Sequence, residues 1–453
     1  MLTWVTLFLA LVAGSHQVAV SADQSVARIE LLLDGRSVGV REAPPWTFDI
    51  DLGRRLAPHR LEAVAWDADG TERSRIQQTV NLPRPQAEAR IALEEGRDGR
   101  YRSARLVWDV VGDLGLEGFR VLLDGEPIAA EDPDHVPLPD YDPDSIHHLA
   151  AELELEDELT AHAAVTFGGR FSGSTESDLT PLAVRWIAKE LPSEPPSPEM
   201  AAAWFLHDGE PVRVFTVDRP PVDVLILRSR TTEPRLARLG SDAWKGETPR
   251  VGGGPPPSEV AERLGVGLET EDRLRFVCPI PNWTADRSGA LFPATGDVAE
   301  STGSLGFALT HLAACPPRGE AGDRAEPERL ADAVAAAGVL ATARGRRRAV
   351  VLVVHPHARD TSQNLPGPVK GYLETLRVPL RVWSPVGGHT HWGRSVGIGK
   401  PKRLRRAVHD LRRDLDRQWV VWLEGRWLPQ EIELSDEARR FFGWAGDDGP
   451  RGP

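Results

Sequence analysis

From Val26 to Pro83 apolar and polar residues alternate in short runs separated by turn signals: RIELLLDGRSVG, then PPWTFDIDLG, then HRLEAVAWDADG. Period-two alternation broken by Asp-Gly pairs predicts short antiparallel strands folded into a small sandwich, with Trp46, Phe48 and Trp66 in its core. The same grammar recurs from about Ala87 to Ile187. RLVWDVVGDLGLEGFRVLLDGEPI supplies strand, turn, strand and a second Asp-Gly, and HHLAAELELEDELTAHAAVTFGG supplies two more strands. Between them EDPDHVPLPDYDPDS, Glu131 to Ser145, lacks the Gly and terminal Glu of a helix-loop-helix calcium site, so it reads as a solvated acidic loop. Two β modules are expected, at 24–84 and 86–190.

A Pro-rich linker, LPSEPPSPE, occupies 191–200, and after it the pattern changes. DVLILR, RLRFVCP, AVVLVV and VPLRVW are short apolar runs, and SEVAERLG, GSLGFALTHLAA, EPERLADAVAAAGVLATA and PGPVKGYLETL keep helical spacing. Strands alternating with helices predict a doubly wound α/β domain over 201–435 with a mainly parallel sheet. Lys402 to Arg417 adds a helix with Leu404, Val408, Leu411 and Leu415 on one face, and QWVVWLEGRWLPQEIELS reads as a hairpin after it. Residues 436–453 are expected to form a C-terminal helix and a frayed tail. At the other end, LTWVTLFLALVA is uncharged and apolar and is followed by the small-residue site Val20-Ser21-Ala22. Residues 1–22 therefore resemble a secretory signal peptide, with an uncleaved anchor as the alternative, which implies an exported chain, periplasmic or extracellular, without a transmembrane span once mature.

Composition narrows the function. A formal net charge of −13 and a pI near 5.5 argue against nucleic acid or an anionic membrane as the main partner. The basic run Lys400 to Arg413 is interrupted by acids and reads as the wet face of a helix. No Gly-x-Ser-x-Gly, no phosphate loop with its Lys and no nucleophile with an evident base is present, so no enzyme and no cofactor is expected. Asn282-Trp283-Thr284 matches a glycosylation sequon by residue type. Cys278 and Cys315 are the two cysteines. A twelve-residue helix ending at Cys315 descends about 18 Å from the end of the sheet where Cys278 sits, whereas a disulfide needs Cα atoms within about 7 Å. Two free, buried thiols are the expectation.

Family likeness sharpens this picture. Residues 24–84 resemble bacterial immunoglobulin-like modules through their repeated strand, Asp-Gly, strand order and the segment DADG. Four passages resemble the von Willebrand factor A domains of exported bacterial proteins, in which such modules commonly precede the α/β domain. FLHDGEPVRVFTVDRPPVDVLIL matches the opening hairpin and first strand, EDRLRFVCP the second strand, and STGSLGFALTHL a helix start of the form G-T-x-L-x-x-A-L. RAVVLVVHPHARDTS with GYLETLRVPLRVWSP matches the strand, T-D-G-x-D-T-S, helix and V-P-V-x-V-I passage. The resemblance implies a Mg²⁺ site at the top of the sheet, built from Asp-x-Ser-x-Ser, a Thr and a later Asp. Here those positions fall on Arg228, Arg230, Thr232, Gly303 (flanked by Thr302 and Ser304) and His355. Both carboxylates are lost and two guanidinium groups have arrived, and like charges at a few Å cost on the order of several kcal/mol. The site is degenerate, and no metal is expected in it.

Three functions remain in view. The first is a non-enzymatic exported scaffold that binds a protein partner without metal, with Arg228 and Arg230 offering bidentate sites to a partner's carboxylate and the β modules serving as spacers. The second is a polysaccharide-binding protein using the Trp residues of the β modules. The third is a transition-metal site made by His355 and His357 with His389 and His391, should HPH and GGHTHWG converge at the edge of the sheet. The partner and the oligomeric state are left open.

Overall fold

Where the sequence places Asp-Gly, the chain turns through a left-handed residue, Asp34 at φ 51° and Asp124 at φ 52°, and returns as the paired strand. The computed structural model describes the chain from Leu2 to Gly446 apart from residues 9, 24, 83–86, 97–99, 111–114, 125, 144–145, 157–158, 169–174, 178, 244–257, 282–290, 313–314 and 316–326. The Asn282 sequon lies outside the described residues. Among the described residues no helix is long and apolar enough to cross a membrane.

The first module contains β1 (Leu2–Trp4), β2 (Ser15–Ala22), β3 (Arg28–Leu33), β4 (Arg36–Arg41), β5 (Thr47–Asp51), β6 (His59–Trp66) and β7 (Glu72–Val80). They form two sheets, β1-β2-β5 and β4-β3-β6-β7. The second module repeats this plan with β8 (Ala87–Glu95), β9 (Tyr101–Val110), β10 (Leu116–Leu123), β11 (Glu126–Ile128), β12 (Val136–Pro137), β13 (Ile146–Leu155), β14 (Leu159–Gly168) and β15 (Thr175–Ser177). Its sheets are β8-β9-β12 and β11-β10-β13-β14, the latter extended by β15. Trp46 and Phe48 lie in the first core as expected, and Trp66 is half-buried with the Arg28 guanidinium 4.2 Å over its ring.

The same device ties the turns at Asp34 and Asp124 to the neighbouring strand. Asp34 accepts from His59 Nδ1 at 2.8 Å and from the Arg60 N–H at 2.8 Å, and Asp124 accepts from His147 Nδ1 at 2.7 Å and from the His148 N–H at 2.8 Å.

Residues 1–22 have a structural role that the leader reading did not give them. Strand β2 is the middle strand of the first module's smaller sheet and spans Val20-Ser21-Ala22, with Val18 and Val20 buried and Leu2 of β1 4% exposed. Cutting after Ala22 removes both strands and uncovers Phe48 and Ile50 of β5. The apolar run lacks alternation for a physical reason: it serves two cores. Trp4, Phe8 and Val12 pack into the first sandwich, while Leu11 and Ala13 pack against the α/β domain.

The region after the second module also departs from the expected boundaries. Strand β16 (Leu179–Trp186) leaves that module and joins a third β unit, with the short helix α1 (Pro198–Ala201), β17 (Phe205–His207), β18 (Glu210–Pro211) and β19 (Val214–Asp218). An α/β domain then intervenes. It holds β20 (Val222–Arg228), α2 (Glu233–Ala243), α3 (Ser258–Leu264), β21 (Arg273–Val277), α4 (Ala299–Thr302), α5 (Leu305–His311), α6 (Leu330–Thr342), β22 (Arg347–Val353), α7 (Pro366–Thr375), β23 (Leu380–Ser384), β24 (Gly388–Thr390), β25 (Gly393–Gly397) and α8 (Pro401–Asp416). The chain closes the third unit with β26 (Gln418–Glu424), β27 (Glu433–Leu434) and β28 (Phe442–Trp444).

The expected hairpin at 418–435 is therefore no pair. Strand β26 lies between β16 and β19, and β27 pairs with β17. The expected C-terminal helix is a single 3-10 turn, Ala438–Arg440, before β28. Leu182, Trp204, Phe205, Trp419, Val421 and Phe442 form this unit's core, so residues 205–218 and 418–444 belong together although about two hundred residues separate them.

The fold is thus a set of antiparallel β-sandwich modules followed by a doubly wound α/β domain, whose sheet runs β21-β20-β22-β23-β25-β24 and is parallel except for β24. Strands β20 and β22 are buried along their whole length, with the apolar runs Val224–Leu227 and Ala349–Val353 flanked by the buried charges Asp223, Arg228, Arg347 and Arg348. Val224 and Ile226 face α2, α3, α5 and α8, while Leu225 and Leu227 face α6 and α7. Helix α2 adds one element to those read from sequence, with Leu236, Leu239 and Ala243 at helical spacing.

The first module docks onto this domain through Asn81. Its side chain bridges the Val12 N–H and the Val12 and Ala57 carbonyls, each at 2.8 Å, and its own carbonyl accepts from Tyr372 Oη at 2.5 Å.

Candidate functional site

Strand order reverses between β20 and β22, and in open α/β sheets the crevice beyond the carboxyl ends of two such strands is the usual site. Here the Ser229 N–H donates to the Val353 carbonyl at 3.0 Å, which draws the two strand ends together. The positions implied by family likeness surround this crevice, and the structure gives each of them a local task.

Arg228 is the last residue of β20 and is 5% exposed. Its Nη1 donates to the Leu309 carbonyl at 2.6 Å and its Nη2 to the Leu312 carbonyl at 2.7 Å, with Glu233 Oε1 at 3.5 Å. Those carbonyls end α5, where the last turn leaves acceptors unsatisfied and favours a cation. Burial pushes the guanidinium pKa down, and Glu233 offsets part of that shift. Arg228 therefore caps a helix of its own domain and is not open to a partner's carboxylate, which corrects one of the two Arg assignments.

The same cap explains the cysteines. Leu312 is extended (φ −86°, ψ 148°), so α5 stops at His311 instead of running twelve residues down the sheet. The chain stays near the end of β21, and Cys278 and Cys315 form a disulfide with Cα atoms 4.9 Å apart. The expectation of free thiols rested on a helix that was too long.

Glu328 is the residue that sequence reasoning missed. Its carboxylate accepts from Ser229 Oγ at 2.7 Å and from the Arg230 N–H at 2.6 Å, while its carbonyl accepts from the Thr361 N–H at 2.9 Å. Burial pushes its pKa up, against the pull of the Arg230 N–H and the Ser229 hydroxyl. Arg230 opens a 3-10 turn and is half-buried. Thr232, fully buried, donates its hydroxyl to the Ser229 carbonyl at 2.6 Å. Gly303, at φ 57°, ends α4, and Ser304 caps α5 by accepting the Phe307 N–H at 3.2 Å. Thr302 donates to Val298 and Ala299 carbonyls.

The segment HPHARDTS also works on its own scaffold. Asp360 accepts the first N–H groups of α6, from Leu330 at 3.0 Å and Ala331 at 3.1 Å, and Ser362 Oγ accepts from Asp332 N–H at 3.1 Å. Asp332 replies by accepting from the N–H groups of Gln363 at 2.9 Å and Asn364 at 3.0 Å. This reciprocal cap locks the loop to the helix start. Asp360, two before Ser362, and Asp332, the last residue of EPERLAD and the third of α6, were the signals in the sequence.

The histidines do not assemble. Pro356 turns the chain after β22, so the His357 N–H approaches His355 Nδ1 at 3.3 Å and the two rings sit 5.8 Å apart. Burial and the neighbouring Arg235 push the His355 pKa down. His389 and His391 are exposed on and beside the β24–β25 hairpin. Among the described residues no group of three or more His, Cys, Asp or Glu side chains is arranged to hold a metal. Ser229, Thr232 and Glu328 instead bond to one another and to backbone, and both Nη groups of Arg228 bond to the carbonyls that end α5, while Arg228 Nε is buried without a hydrogen-bond partner.

No family model and no curated protein matches this chain. Among solved structures it is similar to the fibronectin(III)-like modules of CbhA from Clostridium thermocellum, at 17% identity over 18% of this chain and 93% of that one, with a TM-score of 0.16. It is similar to the central fibronectin-III array of RIM-binding protein, at 13% identity over 47% of this chain and 78% of that one, TM-score 0.20. It is also similar to the human COPII-coat protein Sec24c, at 10% identity over 50% of this chain and 43% of that one, TM-score 0.24. Scores this low carry no argument about function.

Proposed function

We propose that this chain is a non-enzymatic scaffold that binds a protein partner or anchors an assembly, and that its α/β unit is a von Willebrand factor A-like domain working without metal. One observation carries the reading: Arg228, in the place of the first metal-binding carboxylate, is spent on the carbonyls of Leu309 and Leu312. With both Nη groups of Arg228 on the α5 carbonyls and the Glu328 carboxylate held by Ser229 Oγ and the Arg230 N–H, the described residues of the crevice offer no unengaged carboxylate to a hard cation. The strand order, with the first strand of the domain between the second and third, supports the A-like assignment. The disulfide supports an exported setting, since such bonds persist in oxidising compartments. The polysaccharide reading loses support because Trp46 is buried and Arg28 covers Trp66.

Titration calorimetry with Mg²⁺ and Mn²⁺ on the full chain tests the reading. No binding heat and an unfolding temperature indifferent to EDTA are expected. A stoichiometric divalent site overturns it.

A further inference from the structure

Helix α8 carries its charges in two unlike halves. In the second half every acid has a cation: Asp410 with Arg413 at 2.7 Å, Asp414 with Arg381 at 2.6 Å, and Asp416 with Arg412 at 2.7 Å. In the first half Lys400, Lys402, Arg403, Arg405 and Arg406 are all exposed, and the first turn has no acid. Among the described residues only Arg406 has a carboxylate near, Asp410 at 3.9 Å. Cations at a helix start oppose the macrodipole, by about 0.3–1 kcal/mol each near the terminus. On a chain of net charge −13, five cations held together against both their mutual repulsion and the dipole mark a surface that meets negative charge.

The complementary surface lies on the same chain. Glu131, Asp132, Asp134 and Asp140 are exposed on the loop between β11 and β13, and the loop is held in shape rather than loose. β12 pairs with β9, the His135 N–H donates to the Asp132 carbonyl at 3.1 Å, and His147 Nε2 reaches the Asp142 carbonyl at 2.7 Å. Asp140, 98% exposed, has Arg102 at 3.7 Å.

We propose that the patch formed by Lys400, Lys402, Arg403, Arg405 and Arg406 docks the acidic loop 131–143 of a second copy of this chain. Patch and loop are different surfaces, so the contact is head-to-tail and extends into chains or rings. The proposal rests on the assembly reading above and names its contact. Attraction between exposed charges fades beyond a Debye length of about 8 Å at physiological salt, so the association is weak and salt-sensitive.

Sedimentation velocity of the full chain at 50 mM and 500 mM NaCl tests it. Concentration-dependent association at low salt, lost at high salt, is expected. The triple variant Lys402→Glu, Arg405→Glu, Arg406→Glu is expected to abolish association, as is Asp132→Lys with Asp134→Lys, while mixing the two variants restores it. Acids at the start of α8 suit the dipole, so the triple variant keeps its helix, which circular dichroism checks. A wild-type chain that stays monomeric at low salt overturns the proposal. So does association that survives both reversals, or a patch that binds anionic vesicles or duplex DNA without self-association. Each of these leaves the calorimetric test of metal independence standing on its own.

Discussion

The two tandem sandwiches share one strand plan and differ in how they are closed. In the second module β8 and β9 are nine and ten residues long and pair along their whole length. In the first, β1 is three residues long, and the segment between β1 and β2 packs Phe8 and Val12 into the sandwich and Leu11 and Ala13 against the α/β domain. One module is sealed by its own sheet, and the other by its sheet together with its neighbour. Similar alternation in sequence can thus hide different dependence on context.

The most severe test of that difference removes residues 2–22. Leu2, Val18 and Val20 leave a core, and at about 1.5–3 kcal/mol for each buried side chain the loss is on the order of 5 kcal/mol or more. The first module should unfold, with Trp46 becoming solvent-exposed and residues 24–80 becoming protease-sensitive, while the second module keeps its protection. A truncated chain with a protease-resistant first module would show that β1 and β2 are dispensable and return those residues to the leader reading.

Next in size is Asn81→Ala, which leaves the Val12 N–H and the carbonyls of Val12 and Ala57 without their partner. Buried groups left unsatisfied cost about 1–3 kcal/mol each before water enters. A loss of about 2–4 kcal/mol is expected, read by hydrogen exchange as faster opening of the first module. Tyr372→Phe removes one of these links, Oη to the Asn81 carbonyl, and should cost less, about 1 kcal/mol. Equal protection in wild type and Asn81→Ala would mean that the module does not lean on its neighbour.

How far the sequence could be read follows from the same contrast. Period-two alternation with Asp-Gly turns fixes local pairing, so β3–β4 and β10–β11 were legible, as was the α/β sheet from its apolar strands. Residues 2–13 were not, because residues serving two cores have no polar face to betray a strand. The third β unit was hidden by distance: β16 and β26 pair across more than two hundred residues, and no local pattern records that. At the crevice, the replacement of a carboxylate by Arg228 was visible. That its guanidinium turns inward to end α5, and so brings Cys315 back to Cys278, depends on where a helix stops, which turned on a tertiary contact rather than on propensity.

The smallest effects concern the two His–Asp ties. Asp34→Ala and Asp124→Ala each remove a carboxylate accepting one ring N–H and one backbone N–H. With Asp34 and Asp124 side chains 35% and 43% exposed, solvent limits each loss to about 1 kcal/mol. Chemical denaturation monitored separately in each module would check this, and a loss several times larger in one module would show that its tie also shapes the core.

The ties differ in what the second ring nitrogen meets. His59 Nε2 is buried without a hydrogen-bond partner, whereas His147 faces acceptors at both ring nitrogens, Asp124 Oδ2 and the Asp142 carbonyl, each at 2.7 Å. Only an imidazolium donates from both. Burial alone favours the neutral ring, yet the bonds to Asp124 and Asp142 prevail and raise the His147 pKa above its ordinary value. The Asp124 pKa is lowered by the same ring and by the His148 N–H, against its own burial. The raised histidine contributes stability that is complete below its unfolded pKa of about 6.5 and disappears as pH rises through its folded value. The lowered Asp contributes above about 3.9 and is lost as pH falls through its folded value. The second module should therefore be most stable on the mildly acidic side of neutrality and lose up to about 1 kcal/mol on the alkaline side, and His147→Gln should flatten that limb. An NMR titration placing the His147 ring at or below its ordinary pKa would show that the Asp142 carbonyl is not held by a second ring proton.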